Sequence, residues 1–195
     1  MMKILGGAPS GLAPFAPPFL EAGKLRIAQT ANILAWLAPR HGLVPSDEAS
    51  RLAAHQHQLT IMDLVFEVHE THHPVDTGLY YEDQKPEAKR RAKGFTAARI
   101  PKFLDYFERV IAQGGGKFPV KRRFTYVDLS LFQIVEGLRY AFPNRMRLFE
   151  RQIPALVALR DRIAIRPNIK AYLASHRRIA FNEDGIFRHY KALDD

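Results

Sequence analysis

Residues 124–138 read FTYVDLSLFQIVEGL, and no other stretch restricts the fold as tightly. Thr125 stands three residues before Asp128, the spacing of a capping box. In that motif the threonine side chain takes the Asp128 amide, and the carboxylate returns to the Thr125 amide. Phe124 and Leu129 occupy the flanking positions where two apolar side chains can clasp as a hydrophobic staple. Beyond the cap, Leu129, Leu131, Phe132, Ile134, Val135 and Leu138 are apolar on nearly every face. A helix of that kind belongs at the centre of a domain, with other helices packed around it.

The rest of the chain can supply those neighbours. Its 195 residues suffice for one good-sized domain, or for one domain and part of another. At 47% hydrophobic and 25% charged it has the composition of a globular protein. No apolar run approaches the roughly 18 residues that a membrane span needs. The opening MMKILGGAPSGLAPFAPPFL has no compact apolar stretch ending in a cleavage site, so no secretory leader is expected. There are no cysteines, which excludes disulfides, cysteine nucleophiles and thiolate zinc sites and fits a cytoplasmic protein. The net charge of +9 invites a nucleic-acid reading. The basic groups are dispersed, however, and acidic residues flank most of them. A solvated basic surface follows, with neither nucleic acid nor membrane as a partner.

Along the chain, residues 24–29 form a short strand-like run. A helical stripe through Ile33, Leu34, Trp36 and Leu37 stops where Gly42 can cap it. Ser46 is the expected cap of a long helix over 47–73, whose stripe reads Leu52, Leu59, Met62, Phe66 and His69. Pro74 should end it. A second long helix is expected over 86–112 and a loop over 114–123. Two shorter helices follow at 152–165 and 167–175, and a tail wraps the surface.

Taken in order, these segments resemble the cytosolic glutathione S-transferases from about Pro17 onward. PPFLEAGKLRIAQTANILAWLAPRHGL (17–43) is similar to the third strand, fourth strand and third helix of that family's thioredoxin-like domain. There a cis-proline opens the third strand and a Gln-Ser/Thr pair begins the helix; here these are Pro18 and Gln29-Thr30. FTYVDLSLFQ is similar to the family's buried helix with its capping box, and LRDRIAIRPNIKAYLAS (159–175) to its late helices. The fold class implied is mainly α: a glutathione-transferase C-terminal helical bundle over 45–195, carrying over 1–44 a two-strand, one-helix remnant of the thioredoxin-like domain. Family members have about 50 more residues ahead of the match, including the Tyr, Ser or Cys that stabilises the glutathione thiolate. The 16 residues before Pro17 look like a linker, so the catalytic residue has no counterpart. The expectation is a fragment with an internal start at Met1-Met2, or else a shortened protein.

The resemblance also implies site residues. Pro17, Pro18, Gln29 and Thr30 would hold glutathione, with the γ-glutamyl carboxylate at the start of the helix. Asp63 would meet the γ-glutamyl ammonium of a neighbouring subunit. Phe66, His69, His73, Tyr140 and Phe142 would line the electrophile pocket. No cofactor is implied, glutathione being a co-substrate, and the partners are a small electrophile and a second copy in a homodimer. The function implied for the complete protein is conjugation of glutathione to electrophiles, with this chain by itself expected to be inactive for want of the thiolate-stabilising residue; the alternative is a noncatalytic binding or scaffold protein of the same family.

One motif competes. His69-Glu70-Thr71-His72-His73 matches H-E-x-x-H, the helical zinc-protease signature. His73 abuts Pro74 at the expected helix end, and neither Glu82 nor Glu87 stands in a convincing third-ligand position. No metal and no peptidase activity are expected.

Overall fold

The computed structural model describes residues 13–194. Most of the expected linker, through residue 12, lies outside them. Strands β1 (Phe19–Ala22) and β2 (Leu25–Ala28) pair antiparallel, with Phe19 opposite Ala28 and Leu20 opposite Ile27. Gly23 turns the hairpin in the left-handed region, at φ 61°. Helix α1 (Thr30–Arg40) follows, and Gly42 closes it at φ 64° as the Leu43 amide donates to the Ala38 carbonyl at 2.8 Å. The Tyr126 amide donates to the Leu43 carbonyl at 2.9 Å, tying this unit to the central helix.

Helix α2 (Glu48–Glu70) departs from expectation in three ways. Its cap is Asp47, which accepts the Ser50 amide at 2.9 Å and pairs with Lys121, while Ser46 is exposed. The Lys121 ammonium and the Ser50 amide hold the Asp47 carboxyl well below the usual carboxylate range. Its buried face is the opposite one: Ala54, Ile61, Leu64 and Val68 face the core, while Leu52, Leu59 and Phe66 are 62%, 48% and 61% exposed. Ala54 permits close approach, and of the three buried polar residues of this helix His57 and Gln58 find side-chain partners, whereas the Ser50 hydroxyl has none among the described residues. His57 meets the Tyr106 hydroxyl at 3.1 Å and Gln58 accepts from Ser130 at 2.7 Å. Finally, the helix ends at Glu70 rather than 73. Pro74 excludes helical geometry at His73, and the Thr71 hydroxyl takes the Val68 carbonyl at 2.7 Å.

The second long helix is interrupted. Helix α3 (Lys85–Gly94) and helix α4 (Ile100–Gln113) are joined by a π turn over Phe95–Arg99. Pro101 has no amide to donate, and the Ile100 amide reaches back five residues to the Phe95 carbonyl. The wider turn absorbs the proline without breaking the axis.

Helix α5 (Tyr126–Ala141) runs through the centre as its sequence requires, with Val127, Leu131, Val135 and Leu138 fully buried. The capping box forms: the Thr125 amide and hydroxyl donate to Asp128 Oδ2 at 2.8 and 2.9 Å. An unexpected helix α6 (Pro143–Phe149) comes next. Its Asn144 and Arg145 amides donate to the Asp194 carboxylate, fifty residues on in sequence. Helix α7 (Pro154–Ala164) is likewise capped from elsewhere, Glu108 of α4 accepting the Ala155 and Leu156 amides at 2.9 Å each. Helix α8 (Pro167–Leu173) leads into a tail that does more than cover the surface, since it buries Phe187 and Leu193. The result is a mainly α bundle with a small antiparallel hairpin. Among the described residues no helix is long and apolar enough to cross a membrane.

Candidate functional site

At the corner between β2 and α1, the chain enters the helix through Gln29 in the left-handed region, φ 68° and ψ 123°. A non-glycine residue held there is costly and marks a place where the backbone direction matters. Thr30 is the first helical residue, and the helix has neither a side-chain cap nor an acidic residue in its first turn. Its opening amides therefore have no side-chain cap, and they carry the positive end of the helix dipole. The peptide between Pro17 and Pro18 is cis and leads into β1. Pro17 offers only a carbonyl, since it carries no amide proton.

Thr30 also stands on the rim of an apolar hollow of about 310 Å³, lined among others by Leu34, Met62, Val65, Tyr126 and Phe187. Burial pushes the Tyr126 phenol up to about 12, so it stays protonated. Gln58, Met62 and Val65 share one stripe of α2, and His69 continues it one turn beyond Val65. The periodicity in sequence picks out Met62 and His69 of this stripe but misses Gln58 and Val65, because Leu52, Leu59 and Phe66, recurring every seven residues, draw it toward the outward face.

The other expected site residues are scattered. Phe66 lies with Asp63 on the outward face of α2, in an open depression that also holds Glu67, Glu70, Arg91 and Arg99. Burial pushes the Glu67 carboxyl up, but Arg99 and Arg91 outweigh it and hold it below its usual value. Phe142 is core: it is fully buried, 5.5 Å from the Phe95 ring. Tyr140 stacks on Phe181 of the tail at 5.0 Å.

His69 and His73 do come together, with His72 between them. The His69 and His73 rings stack at 4.7 Å, and His72 Nδ1 lies 2.5 Å from His73 Nδ1. His72 Nε2 faces the Ile186 carbonyl of the tail at 2.9 Å. Burial, reinforced by the charge of Arg188, lowers all three imidazoles, His72 to about 4, so they are neutral at pH 7. The cluster lacks the parts of a peptidase. The helix has ended before His72 and His73, and Glu70 is paired with Arg91 at 2.8 Å instead of being free to activate water.

Comparison with known proteins is consistent across sequence and structure. A family model described as glutathione S-transferase, C-terminal domain, matches residues 69–176. A glutathione S-transferase of Plasmodium yoelii yoelii is 25% identical over 160 residues, covering 82% of this chain and 68% of that protein. Glutathione S-transferase alpha-1 of Rattus norvegicus is 28% identical over 156 residues, covering 80% and 64%. The chain thus spans about two thirds of the length of these relatives. Among solved structures, prostaglandin synthase D of Nilaparvata lugens superposes with a TM-score of 0.67 at 18% identity, covering 84% of this chain and 75% of that one. A Pi-class glutathione S-transferase of Onchocerca volvulus gives 0.64 at 21%, covering 80% and 69%. At such identities the structural likeness establishes the fold alone.

Proposed function

The chain belongs to the glutathione S-transferase family, and from that premise we propose that it binds glutathione and serves its transfer to an electrophile. The thiolate sulfur is the nucleophile in such a transfer: the thiol gives up its proton, the sulfur bonds to the electrophilic carbon, and with an aryl halide the carbon–halogen bond breaks and halide leaves. The observation that carries the reading is the corner at Gln29 and Thr30. An uncapped helix start, entered through a left-handed residue, is a carboxylate receptor, and the γ-glutamyl end of glutathione carries a carboxylate. The Thr30 amide and hydroxyl hold it, with Gln29, Pro17 and Pro18 around it. Residues 1–44 then form the glutathione-binding part and 45–195 the helical part.

The electrophile lies along α2, from the apolar hollow beside Thr30 toward His69 and His73. A homodimer fits the outward face of the same helix, where the exposed Leu52, Leu59 and Phe66 recur every seven residues. Asp63, exposed on that side, is placed to meet the ammonium of glutathione held by the second copy.

Calorimetric titration of the full chain with glutathione tests the binding site. Thr30→Val is expected to weaken binding by about tenfold, since it removes a charge-assisted hydrogen bond. Unchanged affinity in both Thr30→Val and Gln29→Ala would refute the placement. Conjugation to an aryl halide, measured alongside, separates turnover from binding alone.

A further inference from the structure

We propose that His69, His72 and His73 form a three-imidazole site for a borderline divalent transition metal, with Zn²⁺ as the reference ion. Read from sequence, His69 and His73 lacked a third ligand; the fold supplies it as His72, the residue the motif spacing passes over. One ligand nitrogen from each of the three lies within 4.8 Å of the others. The last turn of α2 makes this arrangement: the His72 and His73 amides both donate to the His69 carbonyl at 3.2 Å, which keeps residues three and four positions on beside His69.

The outer contacts fit a ligand set. His72 donates its Nε2 proton to the Ile186 carbonyl at 2.9 Å, which leaves the Nδ1 lone pair turned toward His73. A backbone carbonyl on the far nitrogen is the usual support of a metal-bound imidazole, since it fixes both tautomer and ring orientation. Without an ion, one proton must sit between two Nδ1 atoms 2.5 Å apart. With an ion at 2.0–2.1 Å from each, tetrahedral geometry sets those nitrogens about 3.3 Å apart. Forming the site therefore needs the Nδ1 pair to open by less than an ångström and the His69 nitrogen, within 4.8 Å of the others, to close in by up to about 1.5 Å.

The charges around the cluster are mixed. Glu70 is held by Arg91. Arg188 opposes a cation, but its guanidinium is drawn toward the tail turn by the Gly185 and Asp184 carbonyls. The cleft beside His73 also holds Glu82, Glu183, Asp184 and the tyrosines Tyr80, Tyr81 and Tyr190, so the fourth position opens onto acidic and phenolic groups. Imidazole ligands favour zinc, nickel and copper over magnesium or calcium. An ion here fastens the end of α2 to the tail, independently of how glutathione binds.

The test uses the full chain without a histidine tag, stripped with chelator and titrated with ZnCl₂ by calorimetry and with Co²⁺ by visible absorption. One equivalent should bind, with the d–d bands of low-coordinate cobalt, and Zn²⁺ should raise the melting temperature. His69→Gln, His72→Gln and His73→Gln should each weaken binding by at least about tenfold, while His176→Gln leaves it intact. Should His72→Gln fail to fold, the less buried His69 and His73 variants decide. Absence of saturable binding, or equal affinity in the native chain and those variants, would overturn the site. Peptide hydrolysis is not expected, because Glu70 is committed to Arg91.

Discussion

Gly137→Ala should destabilise this protein even though it improves the intrinsic helix propensity of α5. Alanine is favoured over glycine inside a helix by about 1 kcal/mol. A Cβ at position 137, however, would stand 2.5 Å from three atoms of the Phe187 ring, where carbon atoms need roughly 3.5–4.0 Å. The ring, only 7% exposed, must retreat by an ångström or more. Its segment is pinned on both sides, by the Ile186 carbonyl on His72 and by Tyr190 stacked on Tyr81 at 3.7 Å. Full loss of a buried phenylalanine costs about 3–5 kcal/mol, and partial displacement about half of that. Set against the propensity gain, the net loss is about 0.5–1.5 kcal/mol. In a chain of this size that lowers the melting temperature by roughly 1–6 °C. Urea denaturation of the single and double variants isolates the cause. In a Phe187→Ala background the new methyl has room, so Gly137→Ala should there stabilise by about 1 kcal/mol, a reversal of sign. A higher urea midpoint for Gly137→Ala alone would refute the reasoning.

Burial raises the Asp128 carboxyl from the ordinary 3.8 to about 6, against the hydrogen bonds from Thr125, and its Oδ1 has no hydrogen-bond partner among the described residues. The folded state therefore holds a proton that the unfolded state releases near 3.8. Stability from this group is fully present below that value and falls by roughly 3 kcal/mol as pH rises through 6; Asp128→Asn should flatten that dependence, and parallel curves would count against it. Asp128→Ala leaves the buried Thr125 amide and hydroxyl without their acceptor and should cost about 1–3 kcal/mol at pH 5, whereas Asp63→Ala, on an exposed side chain, should be nearly neutral. Asp194→Ala should cost about 1–2 kcal/mol and speed hydrogen exchange at Asn144 and Arg145, whose amides it accepts; unchanged protection there would dismiss the cap.

What the sequence determined by itself was whatever local chemistry decides. The capping box at Thr125 and Asp128 needs residues three apart, and the all-round apolar body of α5 can only be buried. Gly42 closes α1 for the same local reason, the freedom of a residue without a Cβ. Local information misled where two faces of one helix were both plausible. On α2, Leu52, Leu59 and Phe66 recur every seven residues and look like the core stripe, but the face packed against α5 carries Ala54, Ile61, Leu64 and Val68. Only the tertiary structure decided the contacts that join distant segments. Asp194 caps α6, Glu108 caps α7, and the Ile186 carbonyl orients His72 across 114 positions. No spacing in the chain encodes these pairs, because each depends on where packing brings a carboxylate or carbonyl after the helices have assembled. The three histidines mark the boundary between the two kinds of knowledge. Helical spacing alone sets His72 and His73 near His69, but only packing gave His72 its burial and its Ile186 carbonyl partner, which fixes the ring's orientation.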